Sequence, residues 1–165
     1  MEHKEILLIK NGELALKGLN RGTFEDILLK NIKRRLYGAG SFTLRKAQPT
    51  LYIEPREEGA DLEEACDRLS RIFGISAYTR ALAVDKSMEA ILAATGDYLA
   101  DELRNARTFK VEAKRSDKTF PLTSPAICAE VGGALLKQFP HLKVDVHQPQ
   151  VQVTVEIRDF GAYIH

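Results

Sequence analysis

The stretch RTFKVEAKRSDKTFPLTS, residues 107–124, is the most informative part of the second half of this chain. Its first part alternates apolar and polar residues and predicts a strand over 108–113. The strand runs into a basic, hydroxyl-rich loop, and Ser124 followed by Pro125 predicts a helix with Ser124 as its N-cap. A strand, a cationic loop and a helix N-terminus in succession suit the binding of phosphate groups.

The remainder of this half predicts a mixed α/β unit. Ser87 can cap a helix over 88–103, and the helix opened by the Ser-Pro pair is expected to run to Phe139. A short strand is predicted over 143–146. Residues 151–158 alternate strictly between apolar and polar, which predicts a strand with one buried face. In VEIRDFGAYI, residues 155–164, Gly161 then turns the chain into a last strand over 162–164.

The first half predicts a different unit, in the order β-α-β-β-α-β. Asp61, with Glu64 three residues later, has the pattern of a capping box at the start of the second helix. This order is that of the ferredoxin-like split βαβ arrangement. The expected elements are a strand over 5–10, a helix that ends near residue 37, a hairpin of strands over 41–46 and 50–54, a helix over 62–73 and a strand over 75–84. The first helix is expected to end at Gly38-Ala39-Gly40 and to have an apolar stripe of Phe24, Ile27, Leu28, Ile32 and Leu36.

The predicted fold class is therefore α+β in two domains. An N-terminal ferredoxin-like (βαββαβ) domain is expected over residues 1–84. An α/β domain is expected over residues 85–165.

The net charge of the chain conceals an uneven distribution. The 165 residues carry a formal charge of only +1. Residues 10–46 hold nine Lys and Arg against three acidic residues, residues 54–67 hold one against seven, and residues 104–118 hold six against two. Two basic regions can therefore face phosphates although the sum is near zero. The same distribution also fits ordinary solvated faces of helices and strands.

Cysteine use and hydropathy indicate a cytoplasmic protein. Cys66 and Cys128 lie far apart in apolar helical patterns, which predicts buried free thiols in a reducing compartment. The histidines show no zinc-ligand spacing with them. No apolar run approaches the ~20 residues of a membrane span, and the apolar run at 6–9 is too short for a signal peptide.

The loop after the first quoted strand is the main candidate binding site. Lys114, Arg115 and Lys118 cluster just before the helix that begins at Ser124, where cations and free N–H groups can bind phosphate. Arg158 follows the alternating strand and can bring a guanidinium beside this loop. The alternatives are a solvated loop with a routine helix cap and, for Arg158, a charge that discourages pairing at a sheet edge.

A second candidate is the glycine-rich loop over residues 12–21 and the helix after it. Its order, with Lys17 before Gly18, does not fit a Walker phosphate loop. A basic loop at a helix start can still contact an RNA backbone, or can simply connect a strand to a helix. Cations on one face of the following helix extend this region: Lys30, Lys33 and Arg34.

No catalytic constellation is predicted. Glu13, Glu25 and Asp26 are close in sequence but have no second group for acid–base chemistry. Cys128 falls on an apolar helical face and is interpreted as a core thiol. No metal site is expected.

Residues 9–28, IKNGELALKGLNRGTFEDIL, resemble the opening segment of the ThiI family of tRNA 4-thiouridine synthetases. That family begins with a G-E-x-x-L-K-G-x-N-R-x-x-F-E pattern. Residues 109–136 and 144–164 resemble its THUMP domain, an RNA-binding module shared with other tRNA-modifying enzymes. The resemblance covers nearly the whole chain.

The resemblance implies that both domains grip the acceptor region of tRNA, with THUMP holding the 3′-CCA end. The implied RNA contacts are Lys17, Asn20 and Arg21 in the first loop and Lys114, Arg115, Lys118 and Arg158 in THUMP. The family's pyrophosphatase-type domain, with its S-G-G-x-D-S loop, is absent from this sequence. This part is therefore expected to bind tRNA, to need no cofactor and to catalyse nothing.

For the parent protein, the resemblance implies ATP and Mg²⁺ as cofactors, 4-thiouridine at position 8 of tRNA as product and a desulfurase as sulfur donor. It also implies a link to thiamine thiazole synthesis. A homodimer is compatible with the resemblance. The alternatives are a stand-alone THUMP adaptor that delivers tRNA to a separate enzyme, a small enzyme using Glu13 or Cys128, and a ferredoxin-like protein-interaction domain.

Overall fold

A computed structural model describes residues 4–11, 21–47, 50–71 and 75–165 of the chain. The described residues divide into two compact units, with the division between Ala81 and Leu82. The domain boundary predicted from the sequence lies three residues later, after Val84. Each unit is described separately below.

The first unit has the βαββαβ order predicted from the sequence, and the α+β fold class is confirmed. Strand β3 lies between β1 and β2 and pairs antiparallel with both, with Leu8 opposite Tyr52 and Leu44 opposite Ile53. Strand β4 neighbours β1 on its other side. The elements are β1 Lys4–Asn11, α1 Arg21–Leu36, β2 Phe42–Ala47, β3 Thr50–Pro55, α2 Leu62–Leu69 and β4 Ile75–Val84.

The core of this unit lies between the sheet and the two helices. Leu28, Ile32 and Leu36 are buried at helical spacing on α1, as predicted. They pack with apolar residues of β1, β3 and α2, and Leu69 is fully buried. Ile27, which the apolar stripe of α1 was expected to include, is 56% exposed. The buried stripe is therefore narrower than the sequence pattern suggests.

Two glycines close α1, as predicted. Gly38 and Gly40 have φ values of 95° and 133°, which side chains rarely adopt. A Cβ atom on Gly40 would lie 2.6 Å from Cα of Ala60. The amide of Asp61 donates to the carbonyl of Ala39 at 2.8 Å, so this turn packs against the start of α2.

Helix α2 begins as predicted but ends earlier. Asp61 caps it by accepting a hydrogen bond from the amide of Glu64 at 3.0 Å. The helix ends at Leu69, whereas the sequence predicted residues up to 73. The hydroxyl of Ser70 donates to the carbonyl of Asp67 at 2.7 Å, a local bond that competes with further helix.

The second unit contains the last residues of β4 followed by α3 Met88–Tyr98, α4 Ala100–Asn105, β5 Thr108–Arg115, α5 Ser124–Gln138, β6 Lys143–Val144, β7 Val151–Arg158 and β8 Gly161–Ile164. The single helix predicted over 88–103 is wrong, because Leu99, with ψ of 17°, separates α3 from α4. The hydroxyl of Thr95 donates to the carbonyl of Ile91 at 2.6 Å, a type of bond that bends helices.

The sheet of this unit places the ends of β5 and β7 side by side. Its order is β4-β8-β7-β5-β6, with Leu82–Val84 of β4 paired to β8. Strands β5 and β7 are parallel, with Arg115 opposite Ile157. Strand β5 is longer than predicted and includes Lys114 and Arg115, which were expected to lie in the loop. Hydrogen bonding to β7 extends the strand, a long-range effect that local pattern does not reveal.

Strand β7 differs from its prediction in burial. Its alternating pattern predicted one buried face, but every residue from Val153 to Ile157 is buried. The apolar face packs against α3 and α5. The opposite face carries Thr154 and Glu156, which are 4% and 3% exposed. The reason is that a polar residue can be buried where it finds hydrogen-bond partners.

Candidate nucleic-acid interface

The loop over residues 116–123 joins β5 to α5 and is hydrogen-bonded to the end of β7. The amide of Ser116 donates to the carbonyl of Ile157 at 2.9 Å, and the Ser116 hydroxyl donates to the same oxygen at 3.3 Å. Because β5 and β7 are parallel, this carbonyl lies where both strands end. The first residue of the loop, Ser116, is therefore held in place by β7.

Asp117 lies near the start of the loop, and its side chain is almost fully buried. Its side chain is 8% exposed and accepts a hydrogen bond from the Lys86 ammonium at 2.5 Å. It also accepts from the hydroxyl and the amide of Thr119, at 2.6 and 3.0 Å. The Lys86 bond, followed by those from Thr119, lowers the pKa of Asp117 from 3.8 to about 2. Asp117 is thus a carboxylate at neutral pH.

Arg115, a predicted phosphate contact, is bonded to the loop itself. Its Nη1 donates to the carbonyls of Lys118 and Phe120, at 3.3 and 3.1 Å. A guanidinium has five N–H donors, so further donors remain for a ligand. Arg115 therefore shapes the loop in addition to any role in binding.

Lys114 and Lys118, the other two predicted cations of this cluster, lie on different parts of it. Lys114 is half-buried in β5, on the opposite face from Arg115 because successive strand residues alternate. Lys118 is exposed on the loop. No ion pair or side-chain hydrogen bond is found for either lysine within the part of the chain that the structure describes.

Arg158 is brought to the same end of the sheet, but it is mostly buried. Its Nη2 donates to Glu156 at 2.7 Å, and its side chain is only 14% exposed. The alternative of an edge-strand charge is wrong, since β7 pairs with β5 on one side and β8 on the other. Arg158, Glu156 and His165 form a buried polar cluster on one face of the sheet.

That polar cluster was missed from the sequence. The side chain of Glu156 is 4% exposed, and its Oε2 lies 2.6 Å from Nε2 of His165. His165 in turn pairs with Thr154 through backbone hydrogen bonds of 2.7 and 3.0 Å. A glutamate at a polar position of an alternating strand normally faces solvent, so the pattern carried no signal of this burial.

Ser124 is the first residue of α5 and not its cap. Thr123 adopts extended backbone angles, and its hydroxyl accepts from the amide of Ala126 at 3.4 Å. The predicted cap was wrong by one residue because both Thr123 and Ser124 are good caps. Pro125 lies in the first turn as expected. The predicted phosphate-binding role of Ser124 stays a prediction.

Helix α1 presents the second basic surface. Lys30, Lys33 and Arg34 are exposed, on the side away from the buried stripe. Tyr37, one turn after Lys33 and Arg34, is 87% exposed and was not singled out from the sequence. Its spacing of seven from Lys30 places it on the same face and was the available signal. With Lys33 and Arg56 it lines a cleft of about 230 Å³.

Lys17 and Asn20, predicted contacts in the first loop, lie outside the described residues. Arg21 is the first residue of α1, and its side chain also lies outside what the structure describes. The predicted role of this loop therefore stays a prediction.

The cysteines behave as structural thiols. Cys66 is buried in the core of the first unit and Cys128 is half-buried on α5; both are free. Burial raises the pKa of the Cys128 thiol, which disfavours the reactive thiolate. Among residues 4–11, 21–47, 50–71 and 75–165, no group of three His, Cys, Asp or Glu could hold a metal ion. Nor does any helix in those ranges have the length and apolar character to cross a membrane.

Two families match the chain, one for each half. Residues 6–79 match the ThiI ferredoxin-like domain and residues 85–165 match the THUMP domain. The family assignment made from sequence motifs is confirmed by these matches.

Relatives of known name and solved structure cover the same span. A probable tRNA sulfurtransferase from Acetivibrio thermocellus is 41% identical over 164 residues, which is 98% of this chain and 42% of the relative. A 4-thiouridine synthetase solved with RNA and ATP has 31% identity and a TM-score of 0.77, over 98% of this chain and 40% of that one. A Pyrococcus horikoshii protein has 28% identity and a TM-score of 0.79, over 98% and 53%. The chain thus spans less than half of the sulfurtransferase relative.

Proposed function

The chain belongs to the ThiI family of tRNA sulfurtransferases, and from that premise we propose that its two domains bind the acceptor region of tRNA. In this proposal the THUMP domain holds the 3′-CCA end and the basic face of α1 contacts the acceptor stem. The chain itself captures the substrate and performs no chemistry.

The anchored loop over residues 116–123 carries this proposal. It presents Lys118 at a fixed place, and Lys114 lies near the end of the preceding strand β5. The loop leads into the N-terminus of α5, where the helix dipole favours a phosphate, although Pro125 has no N–H and Thr123 already accepts from the amides of Ala126 and Ile127. A solved 4-thiouridine synthetase with bound RNA has the same fold over this span. Phosphate contacts of this kind position an RNA without reading its sequence.

For the whole protein we propose the activity of its relatives. It would use ATP and Mg²⁺ in a further domain to make 4-thiouridine at position 8 of tRNA, in the cytoplasm. A cysteine desulfurase would supply the sulfur, and the same sulfur could enter thiamine thiazole synthesis. Assembly as a homodimer belongs to the same proposal.

Binding to a whole tRNA, and to the same tRNA without its 3′-CCA, tests the proposal across a salt series. The expected result is binding that weakens with salt and weakens again when CCA is removed. Equal affinity for both RNAs would contradict recognition of the 3′ end. Absence of binding to either would contradict the proposed function as a whole.

Two lysine substitutions locate the phosphate-binding cations. The double variant Lys114→Ala and Lys118→Ala is expected to lower the slope of log affinity against log salt by about 0.7 for each lysine that binds a phosphate of single-stranded RNA. Arg104→Ala removes a cation that is 67% exposed and lies outside the proposed surface, so it is the matched control. Equal slopes for the two variants would place the RNA elsewhere.

The face of α1 is tested in the same way. Lys33→Ala with Arg34→Ala is expected to reduce the slope by about 0.9 for each of the two cations that binds a phosphate of an RNA duplex. Arg71→Ala, which removes an arginine that is 70% exposed and paired with Asp67, is the control within the same unit. A slope unchanged by the double variant would remove α1 from the interface.

A further inference from the structure

The loop over residues 116–123 carries one cation, Lys118, and one acidic residue, Asp117, and a carboxylate next to a proposed phosphate contact needs an explanation. Asp117 lies in sequence between Arg115 and Lys118, and a carboxylate there repels phosphates. If these cations bind RNA, as proposed above, replacing Asp117 by a neutral residue should strengthen binding on electrostatic grounds alone. Its presence points to a role that outweighs the repulsion.

The contacts of Asp117 supply such a role. Its carboxylate is directed into the protein, where Lys86 neutralises it and the backbone and hydroxyl of Thr119 bond to it. Thr119 follows Lys118 directly, so these bonds fix the backbone on one side of the exposed lysine. From the preceding strand, Arg115 holds the carbonyl of Lys118 itself.

Lys86 connects the loop to the rest of the unit. It lies in the turn between β4 and α3, and its ammonium donates to Asp117 and to the carbonyl of Asp159 at 3.0 Å. Asp159 lies in the turn between β7 and β8. One cation therefore ties together three separate segments at the end of the sheet where the proposed phosphate contacts lie.

We propose that Lys86 and Asp117 are positioning residues that hold the 116–123 loop in the conformation that receives the RNA backbone. This inference rests on the proposed function and adds two residues to it. Neither touches the RNA. Their bonds order the loop before binding, so less conformational entropy is lost when the RNA arrives.

Two variants with the same change in charge test the inference through their tRNA affinity, because loss of positioning lowers the affinity whereas loss of a negative charge raises it. Asp117→Asn and Asp159→Asn each remove one negative charge from the same end of the sheet. Within the described residues the exposed Asp159 carboxylate has no bond to the loop, so its variant is expected to bind tRNA as tightly as the wild type or slightly tighter. Asp117→Asn is expected to bind about tenfold more weakly, despite its more positive charge, because the loop must be ordered on binding.

Salt dependence separates positioning from direct binding. Asp117→Asn and Lys86→Met should lower affinity with an unchanged salt slope, whereas Lys118→Ala should reduce the slope by about 0.7. Lys86→Arg should restore binding, and the double variant Lys86→Met with Asp117→Asn should bind no worse than either single variant. Circular dichroism and thermal unfolding of each variant establish that the unit is folded under the binding conditions.

Two results would overturn these conclusions at different levels. Binding by Asp117→Asn as tight as that by Asp159→Asn would show that the pair does not position the loop, while the proposed function would stand. A wild-type chain that binds no tRNA would remove the proposed function, and the inference with it.

Discussion

Glu156 and Arg158 illustrate how burial changes the role of a charged side chain. Both lie on β7, with 4% and 14% of their side chains exposed, and they are joined at 2.7 Å. Arg158 therefore has a structural partner in addition to its predicted role with RNA. Loss of RNA binding in an Arg158 variant has to be judged against the stability of the unit.

The first prediction concerns this buried pair. Glu156→Gln is expected to lower the free energy of unfolding by about 3 kcal/mol, because the guanidinium of Arg158 loses its buried counter-charge. Urea unfolding measures the change. The control is Glu112→Gln, since Glu112 lies on the same sheet face in an exposed hydrogen bond with Gln152. Glu112→Gln should lower the free energy of unfolding by less than about 1 kcal/mol. An equal decrease in the two variants would contradict the prediction.

The second prediction concerns pH and Asp117. The Lys86 bond, with those of Thr119, lowers the folded-state pKa to about 2, below the 3.8 of the free side chain. The ionised Asp117 side chain therefore contributes fully to the free energy of unfolding above about pH 4, and this contribution is lost as pH falls through about 2. Thermal unfolding of wild type and Asp117→Asn between pH 7 and pH 2 should show a gap that narrows at low pH. A constant gap would contradict the assigned pKa.

At the level of helices and strands, local sequence signals succeed where the structure is local. Asp61 was correctly identified as the cap of α2, and the glycines after α1 were correctly identified as its end. Some predicted element boundaries are wrong because residues distant in sequence determine where the element ends. Strand β5, for example, is extended by pairing with β7. The break between α3 and α4 at Leu99 is different, because it lies beside a local hydrogen bond from Thr95 to Ile91.

The third prediction concerns the turn after α1. Gly40→Ala is expected to destabilise the first unit by more than about 1 kcal/mol, because φ is 133° and the added Cβ meets the Ala60 backbone at 2.6 Å. Gly59→Ala adds the same group where nothing lies within 4 Å. Chemical denaturation of both variants is the measurement. Equal stability of the two would show that the turn relaxes without cost.

Across the whole chain, the position of the division between the units has a physical consequence. Leu82–Val84 of β4 pair with Ala162–Ile164 of β8, inside the second unit. Separating the domains after Val84, at the boundary predicted from the sequence, would leave β8 without this partner. Leu82 is also part of the second core.

The fourth prediction follows from this pairing. A second domain that starts at Asp85 is expected to be less stable than one that starts at Thr79, since it loses the strand that covers β8. Loss of the Leu82 side chain alone should cost about 2–5 kcal/mol. Thermal unfolding of the two pieces is the test, and a piece that starts at Leu82 should resemble the longer one. Equal stability of the pieces that start at Asp85 and Thr79 would place the boundary after Val84, as predicted from the sequence.

The class of fold, the order of elements in the first unit and the family could be predicted from the sequence. These depend on periodicity, caps and motifs, which act over a few residues and can be read along the chain. The contacts of each cation depended on the tertiary structure. Arg115 bonds to loop carbonyls and Arg158 to a buried glutamate, whereas among the described residues Lys114 and Lys118 have no side-chain hydrogen bond or ion pair, which is why we propose them as ligand contacts. The physical reason is that a charge is used by whatever partner folding brings within reach, and such a partner can be distant in sequence: Lys86 binds Asp117 and Asp159, which are 31 and 73 residues away along the chain.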